Sequence, residues 1–199
     1  MTSTRLTTLT SLLAFIATLL VGASSAMAID GYQKRKNVFG GFALGGGPGA
    51  IHSGDATDFS ALRDGYNVGF HASAIFGGGV TDHVLIGAEA NYWLTTIKKG
   101  NTQDYANHQG SVLAVGNFYI IEGFHLDVGG GFSYGALVGD HPSANLPIQE
   151  AGGAIKAGLG YEFWFNGTLA MGIGAHYNRH FYSNGSFDMF NGSIGLRWY

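Results

Sequence analysis

Residues 67–76 read NVGFHASAIF and residues 84–95 read VLIGAEANYWLT. In the first stretch Val68, Phe70, Ala72, Ala74 and Phe76 alternate with Asn67, Gly69, His71 and Ser73. In the second, Val84, Ile86, Ala88, Ala90, Tyr92 and Leu94 alternate with Gly87, Glu89, Asn91 and Trp93. A period of two marks a strand with two unlike faces. The intervening Gly77-Gly78-Gly79-Val80-Thr81-Asp82 is rich in turn formers, so the pair reads as antiparallel strands joined tightly.

The pattern extends outward from this pair. Phe124, Leu126, Val128, Gly130, Phe132 and Tyr134 oppose His125, Asp127, Gly129, Gly131 and Ser133. Ile155, Ala157, Leu159, Tyr161 and Phe163 oppose Lys156, Gly158, Gly160 and Glu162. Leu169, Met171, Ile173, Ala175 and Tyr177 oppose Gly172, Gly174, His176 and Asn178, with the hairpin signal Asn166-Gly167 just before them. Weaker strands over 38–50, 111–119 and 187–199 bring the expected number to eight. Connections at 52–65, 96–108 and 138–149 read as long, those at 77–83, 120–123 and 164–167 as short, and that at 183–186 as modest. Short turns at one end and longer loops at the other are the outer-membrane arrangement. Eight strands return the C-terminus to the side on which the first strand starts.

The N-terminal segment carries Arg5, the apolar run LLAFIATLLV over residues 12–21, and small residues at Ala26 and Ala28. These are the three parts of a secretory signal. The apolar core is about half the ~20 residues a spanning helix needs. The expected division is therefore a signal peptide over 1–28, cleaved after Ala28, and a barrel over 29–199. With no cysteine the chain has neither a lipid-attachment thiol nor disulfides.

Composition decides between a membrane barrel and a soluble one. Glycine is 34 of 199 residues, aromatics are 14% and charged residues only 12%, about half the usual charged share. A soluble barrel turns its charged face to water. Here the second face is glycine, serine, asparagine, histidine and a few charges, which suits the interior of a narrow eight-stranded barrel. The net charge of −3 and the lack of a basic face exclude a nucleic-acid partner. The fold expected is all-β, an eight-stranded antiparallel up-and-down transmembrane β-barrel. Inside it Lys156 and Arg197 are expected to pair with Glu89, Asp127 and Glu162, because a lone buried charge is costly. Tyr66, Tyr92, Phe118, Tyr134, Tyr161, Phe163, Tyr177, Phe181 and Trp198 fall near strand ends, as interface girdles require.

On this architecture the chain resembles the small eight-stranded outer-membrane proteins of Gram-negative bacteria, the OmpA/OmpX-like barrels. That resemblance implies location in the cell outer membrane, contact with outer-membrane lipid and lipopolysaccharide, and insertion by the barrel-assembly machinery. It also favours a monomer, although the sequence leaves oligomeric state open. The family usually ends in Phe, with apolar residues at alternate positions before it. Here Phe190, Ile194, Leu196 and Trp198 share one face and the terminal Tyr199 falls on the other.

Three clusters invite a chemical reading. The segment from His180 to Asn184 resembles the His-x-Ser-Asn motif of lipid A deacylase barrels. That resemblance would make Ser183 a nucleophile, His180 its base and Asp188 the nearest acid. The spacing is one residue too long, and a regular strand would send His180 and Ser183 to opposite faces; the plainer reading is a polar strand end. His71, His125 and His176, with Glu89 and Asp127, supply metal-ligand types without ligand spacing, and read more simply as lumen filling. Asp55, Asp58 and Asp64 could hold divalent cations, or form a solvated acidic loop. Arg179 is expected outward near the outer rim, within reach of a lipid phosphate, and Lys34-Arg35-Lys36 at the opposite side, against headgroups. Gly45-Gly46-Gly47-Pro48-Gly49 lacks the Lys-Ser/Thr of a phosphate loop. The Asn-Gly-Ser/Thr triplets at Asn166, Asn184 and Asn191 read as turn and strand-end residues.

The sequence thus predicts a non-enzymatic barrel with a structural or envelope-interaction role, no cofactor and no metal, and a lumen too narrow for an open porin. The alternatives are a lipid A acyl hydrolase at the outer leaflet, a narrow pore, or a secreted ligand-binding barrel.

Overall fold

A computed structural model describes residues 35, 38–53, 66–99, 103–139, 148–165, 167–183 and 185–199. The expected signal peptide, Asp55, Asp58, Asp64, Lys34, Lys36, Asn166 and Asn184 lie outside them. Eight strands follow in order: β1 (Val38–Ser53), β2 (Asn67–Gly79), β3 (Val84–Lys99), β4 (Gln103–Ile121), β5 (Phe124–Gly139), β6 (Ile148–Trp164), β7 (Leu169–Tyr182) and β8 (Gly185–Trp198). Each pairs antiparallel with its neighbours, and β8 closes on β1. Closure leaves no strand edge unpaired, which is the condition for strands in lipid.

The register shows the stagger. One row of partners runs Gly40, Phe76, Ala88, Ala114, Gly130, Ile155, Arg179, Asp188 and then Ala50. The circuit returns to β1 ten residues beyond its start. Strands of a closed barrel must tilt to accommodate such a shear.

The two faces divide as the alternation predicts. Val68 and Phe132 are 77% and 81% exposed, and Phe70, Phe76, Ile86, Val112, Val128, Leu159 and Ile194 also face outward. His71, Glu89, Asn91, Asn117, Asp127, Lys156, Glu162 and Asn178 are buried. Apolar side chains outside and ionisable ones inside invert the soluble pattern, and lipid is the solvent that such an exterior requires.

β3 and β4 are longer than expected. Residues 96–98 pair with 104–106, so most of the loop expected over 96–108 is strand. The reason is a reversal of polarity towards the loop end. There the inward side chains become apolar: Ile97, Tyr105 and Leu137 form one buried cluster, and Trp93, Phe187 and Met189 another. Outward positions become polar, as at Thr96, His108, Ser186 and Asp188. The strands rise out of the hydrocarbon layer, and an alternation read with one fixed polarity stops where lipid does.

At the other end the turns are tight. Glu122 and Gly123 join β4 to β5, and Gly123 takes φ 76°, a left-handed value that glycine adopts without steric cost. Phe39, Leu85 and Tyr119 pack into a third buried cluster here, with Tyr199 against it.

Candidate functional site

The buried polar groups form two linked networks in the lumen. In the first, Lys156 on β6 reaches across to Glu89 on β3, with Nζ 2.6 and 2.7 Å from the two carboxylate oxygens. Both side chains are almost fully buried. The pair forms because each residue takes the inward parity of its strand. Asp127 on β5 has different partners: Asn117 donates to it at 2.7 Å, and the Nε2 atoms of His176 and His125 lie 3.0 and 3.6 Å away. A cavity of about 70 Å³ lies among Glu89, Asn117, Asp127, Lys156 and His176, room for only a few water molecules.

The second network fills the mouth at the chain-end side and centres on Glu162. Arg197 Nη1 lies 2.8 Å from its carboxylate and Tyr119 donates to it at 2.7 Å. The Tyr199 hydroxyl is 2.9 and 2.8 Å from its two oxygens. Arg35, from the segment before β1, is 3.6 Å from the same carboxylate and stacks over the Tyr119 ring at 3.7 Å. Arg35 is 1% exposed. The expectation that it would meet headgroups is therefore corrected: its guanidinium is a lumen plug. With Arg197 beside it and two phenols donating, the Glu162 carboxylate meets the condition that a buried charge be paired and hydrogen-bonded.

The sequence groups Lys156 and Arg197 with Glu89, Asp127 and Glu162 without assigning pairs; the structure pairs Lys156 with Glu89 and Arg197 with Glu162. The histidine and asparagine set around Asp127 lies outside that grouping. Tyr119 and Tyr199 were legible by parity, since Tyr119 alternates with Asn117 on the inward face of β4. Arg35 carried no signal, because no strand pattern covers it.

The three sequence candidates for hydrolysis are not brought together. His180 is fully buried in the lumen, with Nδ1 3.1 Å from the Tyr182 hydroxyl and its ring edge-on to Phe187. Asp188 lies on the outward face of β8, opposite Arg179. Ser183 is exposed in the turn after β7. No bulge appears in the β7–β8 register to realign them. Among the described residues no group of three His, Cys, Asp or Glu side chains is placed to hold a metal ion. His71 bonds instead to Asn91 at 3.3 Å. Gly45 to Gly49 are part of β1, and Asn191, 2% exposed, is a lumen residue.

Outside the barrel, one polar cluster stands near the loop end. Asp188 accepts from the Tyr177 hydroxyl at 2.9 Å, and His52 Nε2 is 3.0 Å from it. Arg179 Nε is 3.5 Å from the same carboxylate, while its Nη2 donates to Ser186 at 3.2 Å. The cluster is partly exposed, and it joins β7, β8 and β1 across the seam where the barrel closes.

No protein-family model and no curated protein sequence matches the chain. Solved structures do. The attachment invasion locus protein Ail of Yersinia pestis superposes with a TM-score of 0.59 at 15% identity, over 81% of this chain and 99% of Ail. Its complex with the heparin analogue sucrose octasulfate gives the same figures. Neisserial surface protein A superposes with a TM-score of 0.51 at 12% identity, over 81% of this chain and 95% of its own. The chain has the fold of the small eight-stranded outer-membrane barrels of Gram-negative bacteria.

Proposed function

We propose that the protein is a closed outer-membrane barrel with a structural and envelope-contact role, working through its lipid-facing exterior and loop end and passing no solutes. The observation that supports this most is the filling of the lumen. Trp93, Phe187 and Met189 pack across the loop end, Arg35, Tyr119 and Tyr199 fill the other mouth, and the charges between them neutralise one another. A barrel of this size has no room for a channel once its inward side chains are large. Its partners in this reading are the surrounding lipid and lipopolysaccharide, reached after signal cleavage and insertion by assembly machinery, and the barrel acts as a monomer. The lipid A hydrolase reading lacks a geometric basis, because His180 and Asp188 sit on opposite faces of the barrel wall.

The test combines two measurements on the membrane-fraction protein. Unboiled and boiled samples in detergent should migrate differently on a gel, and planar bilayers containing the barrel should show no discrete conductance steps. Steady unitary currents would replace this reading with a pore. A changed acyl mass of lipid A in an expressing strain, lost in Ser183→Ala, would replace it with the hydrolase.

A further inference from the structure

We propose that Arg179, positioned by Asp188 and His52, forms a binding site for the phosphate of a lipid A-type glycolipid in the outer leaflet. The inference rests on the membrane reading above and names residues for it.

Four observations converge. Arg179 points outward from β7, with its side chain 40% exposed. Girdle aromatics bracket it along β7: Tyr177 stands one outward position below, and Phe181 one above, with the guanidinium 5.5 Å from the Phe181 ring. Girdle aromatics mark the headgroup level of a bilayer, which is where lipid phosphates lie. The guanidinium is held in place, because Asp188 is itself fixed by the Tyr177 hydroxyl and by His52. It has five N–H donors, more than Asp188 and Ser186 take up, and a planar fork suits phosphate oxygens. His52, half exposed on β1, holds the other oxygen of Asp188 through Nε2 and so fixes the carboxylate that orients Arg179.

Below this cluster the outward surface has a seat for the hydrocarbon part of the same molecule. Tyr177 and Phe190 stack with ring centroids 4.9 Å apart, and beneath them Gly192 leaves open space where a side chain would project. A groove there runs past Ala175 and Gly46. Cation, aromatic shelf and groove follow one another down the wall in the order phosphate, glucosamine and acyl chain of an amphiphile. Asp188 keeps the site from becoming a plain cationic patch and orients the donors it pairs with.

The experiment is native mass spectrometry of the barrel folded in detergent micelles, with bisphosphorylated lipid A, its dephosphorylated form and inorganic phosphate as probes. The wild-type barrel should retain lipid A and bind the dephosphorylated form about tenfold more weakly, the scale of one charge-assisted hydrogen bond. H52A/R179Q should lower lipid A retention by a similar factor. R179Q/D188N removes both members of the ion pair together and should show the same loss without an orphaned charge. Gly192→Leu should weaken lipid A by filling its seat. Equal binding of phosphorylated and dephosphorylated lipid A, undiminished retention by R179Q/D188N, or full displacement by inorganic phosphate would each overturn the proposal while leaving a heat-modifiable barrel intact. Loss of heat-modifiable migration in the wild type would instead remove the membrane reading on which the site depends.

Discussion

The hydroxyl of Tyr199, the last residue of the chain, lies 2.9 and 2.8 Å from the two carboxylate oxygens of Glu162, and the guanidinium of Arg35 is 3.6 Å from that same carboxylate. Residues near the two ends of the barrel chain thus meet on one side chain of β6. The seam between β1 and β8 is held by backbone pairing, and Glu162 adds a second tie that reaches both of its flanks from across the lumen.

Glu162→Ala should be among the most damaging single substitutions in this protein. It leaves Arg197 and Arg35 buried beside neutral phenols, and stripping one partner from a buried pair costs about 3–5 kcal/mol. Urea unfolding of the reconstituted barrel, followed by the loss of heat-modifiable migration, measures it. Glu162→Gln keeps the shape and an acceptor and should cost less. Equal midpoints for wild type and Glu162→Ala would show that the mouth network carries no stability.

Tyr199→Phe separates packing from hydrogen bonding at the same place. The ring contacts to Trp164 and Phe39, at 4.9 and 6.0 Å between centroids, survive the change. The bonds to Glu162 do not. A hydrogen bond to a charged group contributes about 1.5–3 kcal/mol, so Tyr199→Phe should fall between wild type and Glu162→Ala in the same unfolding assay. It should also have little further effect once Glu162 is already Ala, since the two residues share one network.

Lys156 and Glu89 allow a sharper test. Lys156→Met strands the Glu89 carboxylate in the lumen, and Glu89→Gln strands the ammonium, so each should destabilise by about 3–5 kcal/mol. The double variant removes both charges and should recover most of that loss. Additive losses in the cycle would mean that Asp127 or His176 already compensates each charge separately.

These networks bear unequally on what a sequence discloses. Alternation in residues 67–76 and 84–95 was enough for the barrel, because lipid on one face and a narrow lumen on the other demand opposite residue types at every second position. The same logic put Glu89, Lys156, Glu162 and Arg197 inside before any pairing was visible. It failed for Arg35, which enters the lumen from outside any strand, and for residues 96–108, where the outward face passes from lipid to water and the pattern reverses. For His180 and Asp188 it left the arrangement open, with a polar strand end as the plainer reading, because an even difference of eight residues across a hairpin says nothing of facing until the register, His180 opposite Phe187, is known. The outer cluster of His52, Tyr177, Arg179 and Asp188 depends on β8 closing against β1, a contact between the two ends of the barrel that no local pattern announces.

The last prediction concerns glycine, whose abundance conceals two different roles. At Gly69 a Cβ would run into the indole of Trp93 and come within 2.7 Å of the Leu94 carbonyl oxygen. At Gly192 nothing lies within 4 Å of the corresponding position. Gly69→Ala must therefore push Trp93 out of the cluster with Phe187 and Met189 that seals the loop end of the lumen. Overpacking of that kind costs about 1–3 kcal/mol, and Trp93 fluorescence should shift to the red as its ring gains water. Gly192→Ala adds a methyl group on the lipid side of a strand, where glycine is itself unfavourable by about 0.5–1 kcal/mol relative to alanine, and should leave stability unchanged or slightly raised. Matched unfolding curves and emission spectra for the two variants decide the point. If both behave alike, the indole is not wedged against β2, and the outer seal of the lumen is looser than its packing implies.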